Sequence, residues 1–214
     1  MPHKYLVHKN ENNHFHDDDF HIVSLYLSFT KFDHRLNSDA TKKILKRALL
    51  IFFIGLALAW FPFTRSLDRL RVMGVLQRIA VAYGISAVLC LSIDIKKLWK
   101  VGLAILLTYW LVMYFFGGND PYSLEDNLAR SFDLAVFGEN HVWKGFGIPF
   151  DPEGLLSTFP AVVMVIFGYY IGWLIKTSED QQSLVKNLLL IGVLGIFMGL
   201  AWDIYFPINK ALWT

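Results

Sequence analysis

Cysteine is nearly missing from this sequence: Cys90 stands alone inside an apolar run, so no internal disulfide forms and no cysteine cluster offers a metal site. Charge is scarce too. Charged residues make up 18% of the 214 and the formal net charge is only +2, with the basic residues in short groups instead of one stripe, which excludes a nucleic-acid binder. The charged start, MPHKYLVHKNENNHFHDDDF, lacks the apolar core of a targeting segment. Its histidines, His3, His8, His14, His16 and His21, lie near Asp17, Asp18 and Asp19, but their irregular spacing fits no metal template, and no metal is expected. A GxGxxG phosphate loop, a zinc-peptidase helix and a serine elbow are absent as well, which removes the common sites of nucleotide binding and hydrolysis.

What the chain has in quantity is apolar surface. Hydrophobic residues reach 55% and aromatics 16%, with seven Trp, nine Tyr and eighteen Phe. The mean hydropathy is +0.41. Such a composition prefers a bilayer to water, and it is gathered into runs near the ~20 residues that a helix needs to cross the hydrocarbon core. The fold expected is all-α, a polytopic transmembrane helical bundle with about five spanning helices, near 44–62, 73–93, 99–117, 155–175 and 185–203. A polar N-terminal segment, 1–41, precedes it and ends in the patch Ile22 to Phe29, which is too short to span and reads as a surface turn or the end of a helix.

Basic residues mark one set of turns. Lys42, Lys43, Lys46 and Arg47 precede the first span; Lys96, Lys97 and Lys100 follow the second; Lys176 and Lys186 flank the fourth turn. By the positive-inside rule these face the cytoplasm, placing the first turn, the long loop 118–154 and the C-terminus outside. The first apolar stretch is short, so Lys46 and Arg47 are expected to snorkel while Trp60 and Phe61 anchor its other end. Arg65, Arg69 and Arg71 in the first turn run against the charge rule, and either a functional role or the pull of the neighbouring spans accounts for them. Gly168 and Gly172 form a small-xxx-small pair suited to close helix approach within the domain or across a dimer seam.

The outer loop is the one long connection. Trp143, Phe146, Ile148 and Phe150 alternate with glycines in it, as expected of a segment folded back on the membrane, and LEDNLARSFDLAVFG has the pattern of a short interfacial helix. The sequence FDPEGLLST reads as a helix start, with Asp151 as cap, Pro152 at the first position and Glu153 in the first turn. Arg78 lies just inside the second predicted span, where an arginine costs several kcal/mol, roughly 2.5 or more, unless it snorkels or meets a polar cavity. One reading is snorkelling. The other joins Arg78 and Gln77 with Arg69 and Arg71 in an outer cavity where Glu139, Asn140, His141, Asp151 or Glu153 supplies partners. His141 is an outer imidazole suited to proton transfer, to ligand contact or to plain loop structure. No catalytic residue is assigned.

The stretches KKILKRALLIFFIGLALAWFPF, LDRLRVMGVLQRIAVAYGISAVL and FDPEGLLSTFPAVVMVIFGYYIGWLI resemble the membrane acyltransferases related to heparan-alpha-glucosaminide N-acetyltransferase, including its bacterial members, from about Phe32 to Thr214. The resemblance implies transfer of an acetyl group from acetyl-CoA to the amine of glucosamine or a related amino sugar across a bacterial inner membrane, with the lipid bilayer and an amino-sugar acceptor as partners, and it admits a homodimer. Donors near the outer face, Arg78, Gln77 or Asn140, would stabilise the oxyanion. The family's N-terminal spanning pair, with its Asp/Arg-Gly phrase and catalytic histidine, has no counterpart in the first thirty residues. The expectation is therefore a fragment of a larger acyltransferase membrane domain, shortened at both ends. Two other functions compete: a small-solute transporter or channel with Arg78 at its selectivity site, and a non-catalytic membrane module that docks with a separate N-terminal half.

Overall fold

The computed structural model describes residues 24–29, 32, 34–64, 66–209 and 212, and the N-terminal histidine group lies outside them. Helix α1 covers Ser24–Phe29, α2 Ser38–Trp60, α3 Val75–Ser92, α4 Ile95–Phe116, α5 Leu128–Phe137, α6 Thr158–Thr177 and α7 Gln181–Trp202. Short 3-10 turns at Leu67–Arg69 and Glu139–His141 complete the order, and no strand occurs among the described residues.

Side-chain caps set several helix starts. Asn37 Oδ1 accepts from Ala40 N at 2.7 Å, which starts α2 six residues earlier than the apolar run alone predicts and places Lys42, Lys43, Lys46 and Arg47 inside the helix. Asp94 caps α4 through Lys96 N at 2.8 Å, Asn127 caps α5 through Arg130 N at 2.8 Å, and Asp180 caps α7 through Gln182 N at 3.0 Å. Helix α6 departs from expectation. It begins at Thr158 instead of near Leu155, because Asp151 closes a tight turn, accepting from Glu153 N, and i to i+3 bonds carry the backbone on to Thr158 and Phe159.

Four helices, α3, α4, α6 and α7, are long and apolar enough to cross a membrane. The first predicted span, 44–62, now α2, falls short of this because its charged first turns leave an uncharged stretch only from Ala48 to Trp60. Its Leu49, Leu50, Phe53, Ile54 and Leu58 are nevertheless exposed, a surface that water penalises and lipid accepts. The chain is an integral, multi-pass helical membrane protein.

Helix α6 is the hub: α1, α3 and α4 pack against it, and α2 packs on α3. Between lipid-bathed helices the attraction comes from close packing, so small residues decide where backbones approach. Gly168 and Gly172 are both buried within α6. Gly55 on α2 admits α3, since a Cβ there would lie 2.8 Å from Leu76 Cβ and 2.9 Å from the Gln77 amide. By contrast, Gly192, Gly195 and Gly199 on α7 face open space, and Leu184 is the only buried residue of that helix.

Two apolar cores sit at opposite ends. The larger joins Tyr26, Phe29, Ile44, Leu91, Leu98, Ile166 and Tyr169 near the lysine-rich turns. The smaller joins Tyr109, Met113, Ala129, Phe150, Phe206 and Leu212 under the long loop, where Tyr109 Oη donates to Leu212 O at 2.7 Å.

Candidate functional site

The long loop and the α2–α3 turn meet at the end remote from the lysines. Arg71, three residues before the Gly74 cap of α3, grips Asp151 with two bonds, Nε to Oδ2 at 2.8 Å and Nη2 to Oδ1 at 2.6 Å, and also donates to Glu153 Oε2. The two-pronged geometry fixes the turn's orientation as well as its distance. Burial by itself would lower the Arg71 guanidinium, yet hydrogen bonds and charge from Asp151 and Glu153 hold it above its usual value. Trp143 lies beneath this cation, 5.8 Å from ring centroid to guanidinium carbon. Its indole fits because residue 145 is glycine; a Cβ there would overlap the ring.

Arg78 occupies the first turn of α3 and is buried, 5% exposed, so it does not snorkel. Its Nη2 donates to Pro152 O and to Ser157 Oγ. Seven residues separate the two arginines, Arg71 in the extended lead-in and Arg78 in the first turn of α3, and both close on the same segment, 151–157. Ser157 Oγ also lies 3.0 Å from Pro152 O and 3.1 Å from Gly154 O. Gln77 is buried beside them, against Gly55 and Gly74.

Sequence reasoning passed over Asp133. It sits on α5 with no exposed surface, four residues after the buried Ala129 and so on the same helix face. Its Oδ1 accepts from Leu155 N at 3.0 Å, while its Oδ2 is buried with no hydrogen-bond partner. Desolvation pushes the Asp133 carboxyl up to about 7, with the nearby Asp151 charge adding to the rise and the Leu155 bond and Arg78 opposing it. The signal was present in the sequence as an acid on the apolar stripe of an amphipathic helix.

Other candidates fall at the rim or beyond. His141 Nδ1 is 2.7 Å from Leu70 O and its own carbonyl accepts from Val72 N at 3.1 Å, so the imidazole pins the loop to the turn just before Arg71. A carbonyl only accepts, which places the proton on Nδ1 and leaves Nε2 basic in the neutral ring. Arg69 and Asn140 are exposed and take no part in the buried group. The structure thus gathers Arg71, Gln77, Arg78, Asp151 and Glu153, sets His141 at their edge, and adds Asp133 and Ser157.

At the lysine-rich end a cavity of about 490 Å³ opens between residues that include Tyr26, His34, Arg35, Lys96, Tyr169 and Trp173. His34 Nδ1 lies 2.9 Å from Tyr169 Oη, and the Tyr26 ring stacks on His34 at 4.5 Å between centroids. Arg35 and Lys96 share the cavity with the Asp94 carboxylate and the Tyr26, Tyr169 and Trp173 rings, which suits a ligand with charged and ring components. Among the described residues no group of acids, histidines and cysteines is arranged to hold a metal ion.

Comparison with known proteins gives this geometry a context. The chain is 27% identical over 249 residues to the heparan-alpha-glucosaminide N-acetyltransferase of Mus musculus, an alignment covering 90% of this chain and 38% of that protein. It is 25% identical over 248 residues to the protein of the same name from Homo sapiens, covering 89% of this chain and 37% of that one. The chain is related to that family. It spans well under half the length of these curated relatives. No family model matches the sequence.

Proposed function

We propose that this chain contributes to a membrane acetyltransferase that passes an acetyl group from acetyl-CoA, at the lysine-rich cytoplasmic face, to the amine of glucosamine or a related amino sugar at the outer face of a bacterial inner membrane. The observation that carries this reading is the relationship to N-acetyltransferases over nearly the whole chain. The two ends of the bundle supply suitable chemistry. Arg35 and Lys96 would hold the phosphates of acetyl-CoA, with Tyr26 and Trp173 available to its adenine ring. When bound, acetyl-CoA supplies the activated acetyl thioester.

At the outer end, Glu153 is the acid of the buried group with the most exposed side chain and is positioned to draw in a protonated amine. His141, its proton held on Nδ1 by Leu70 O, offers Nε2 to take a proton from that amine, freeing the nitrogen lone pair to form the C–N bond as the thioester C–S bond breaks and coenzyme A leaves as its thiol. Arg71 and Arg78 are already engaged by the 151–157 segment, which disfavours a selectivity arginine exposed to a solute path. A homodimer remains part of the proposal, with the exposed faces of α7 as the surface open to it.

The test is acetyl-CoA binding to the purified protein in nanodiscs, followed by formation of N-acetylglucosamine when glucosamine is added. Arg35→Ala with Lys96→Ala is expected to weaken donor binding without altering the helical content. No donor binding together with no product overturns the reading, and uptake of labelled sugar into proteoliposomes without an acetylated product replaces it with a transporter.

A further inference from the structure

Among the described residues, the 151–157 turn has one acid more than its cations balance. Three carboxyl groups, Asp133, Asp151 and Glu153, gather around two guanidinium groups, Arg71 and Arg78. Arg71 is committed to Asp151 and Glu153. Arg130, one turn before Asp133 on α5, points away, donating to Pro149 O at 2.8 Å and Glu125 O at 3.0 Å. Tyr109 on α4, the remaining titratable neighbour among the described residues, gives its hydroxyl proton to Leu212 O. A full set of charges would therefore leave one buried carboxylate uncompensated, whereas a proton on Asp133 makes the group neutral.

The surroundings of Asp133 disfavour its charged form. Its side chain has no exposure, and Oδ2 finds no donor, a poor setting for an anion. Gly154 packs against Oδ2 so closely that a Cβ would overlap it, so the carboxyl and the turn are fitted to one another. Oδ1 meanwhile holds Leu155 N at 3.0 Å, the amide directly after that glycine.

We propose that Asp133 is a positioning residue that acts as a proton-operated latch: uncharged, it seats the 151–157 turn on Arg71 and Arg78, and on ionising it loosens that turn. A site at the outer face would then be held in register below neutral pH and released above it. The elevated carboxyl of Asp133, near 7, puts the change within an ordinary environmental range. The latch acts through Arg71, Arg78 and the backbone that carries Glu153, touching no transferred group itself.

Hydrogen exchange in the full chain, in detergent, reads the turn directly. After correction for intrinsic rates, exchange of the 151–157 amides is expected to rise by about tenfold between roughly pH 6 and pH 8, since each unit past the transition changes the protonated fraction by that factor. The α6 amides beyond the first turn should stay unchanged. Asp133→Asn, which keeps the shape and cannot ionise, is expected to show flat exchange across the same range. A flat wild-type profile overturns the proposal even if the variant fails to fold, and so does an equal rise in wild type and Asp133→Asn. Exchange reports the turn and not acetyl transfer, so its result stands whether or not the acetyltransferase reading survives.

Discussion

The two ends of this bundle are held by different chemistry. At the lysine-rich end, Tyr26, Phe29, His34 and Tyr169 form a ring cluster in which His34 Nδ1 lies 2.9 Å from Tyr169 Oη, and charged groups stay at the rim of a cavity. At the other end, Arg78, Asp133 and Asp151 are themselves buried and the turn between them is secured by charge. Aromatic packing tolerates small errors because each contact is weak and non-directional, whereas a buried ionic group fails when one member is lost. The end that holds the arginines should accordingly be the fragile one and the one that senses pH.

Substitution at Arg78 is the strongest way to break that contrast. Arg78→Leu removes the cation beside two buried acids and the donor to Pro152 O and Ser157 Oγ, and is expected to cost on the order of 3–5 kcal/mol of stability, read as a lowered thermal midpoint in detergent. An unchanged midpoint would mean that the ionic end is not the vulnerable one. Acidity comes next. Because the folded carboxyl of Asp133 is raised from 3.8 to about 7, the native state binds the extra proton, and the stability this contributes is full below about pH 4 and lost as pH rises to 7. The loss amounts to roughly 4 kcal/mol at about 1.4 kcal/mol per unit, and denaturant titrations of wild type and Asp133→Asn across that window should diverge accordingly.

Smaller effects sharpen the comparison. Gly154→Ala drives a methyl into Asp133 Oδ2 and is expected to cost about 1–3 kcal/mol, since the neighbour is itself enclosed. Tyr169→Phe at the opposite end deletes only the bond to His34 while leaving the rings in place, for a loss of about 1 kcal/mol in the same assay. Gly195→Ala on α7 meets nothing within 4 Å, so only helix propensity acts, a gain of about 0.5–1 kcal/mol. A larger effect there would reveal a partner helix against that face.

The helices were legible in the sequence because each spanning segment announces itself by its own apolar length, a sum over neighbouring residues. The predicted ranges 73–93 and 99–117 lie close to α3 and α4, and the short amphipathic LARSFDLAVF segment is helical as read. Where a local cap intervened the reading slipped: Asn37 extended α2 backwards, and Asp151 capped a turn instead of α6. Burial was less visible still. Helices α6 and α7 are similar in length and apolarity, yet 44% of the first span is buried and only 6% of the second. Hydropathy measures preference for lipid over water, and a protein interior and a bilayer score alike on it.

Residue types and sidedness alone brought Arg71, Arg78, Asp151 and Glu153 to notice as outer-face candidates, and the lysine pattern placed their loops at one end. Tertiary structure decided the pairing. Arg71 and Asp151 are 80 positions apart and Asp133 meets Leu155 across 22, so no local pattern specifies either contact. It also sorted Arg69 and Asn140 to the surface and placed Asp133 under Gly154. Membrane insertion is a property of short stretches added together, and the sequence determines it by itself; the charge state of a buried acid depends on which distant groups surround it, and only the folded chain supplies those.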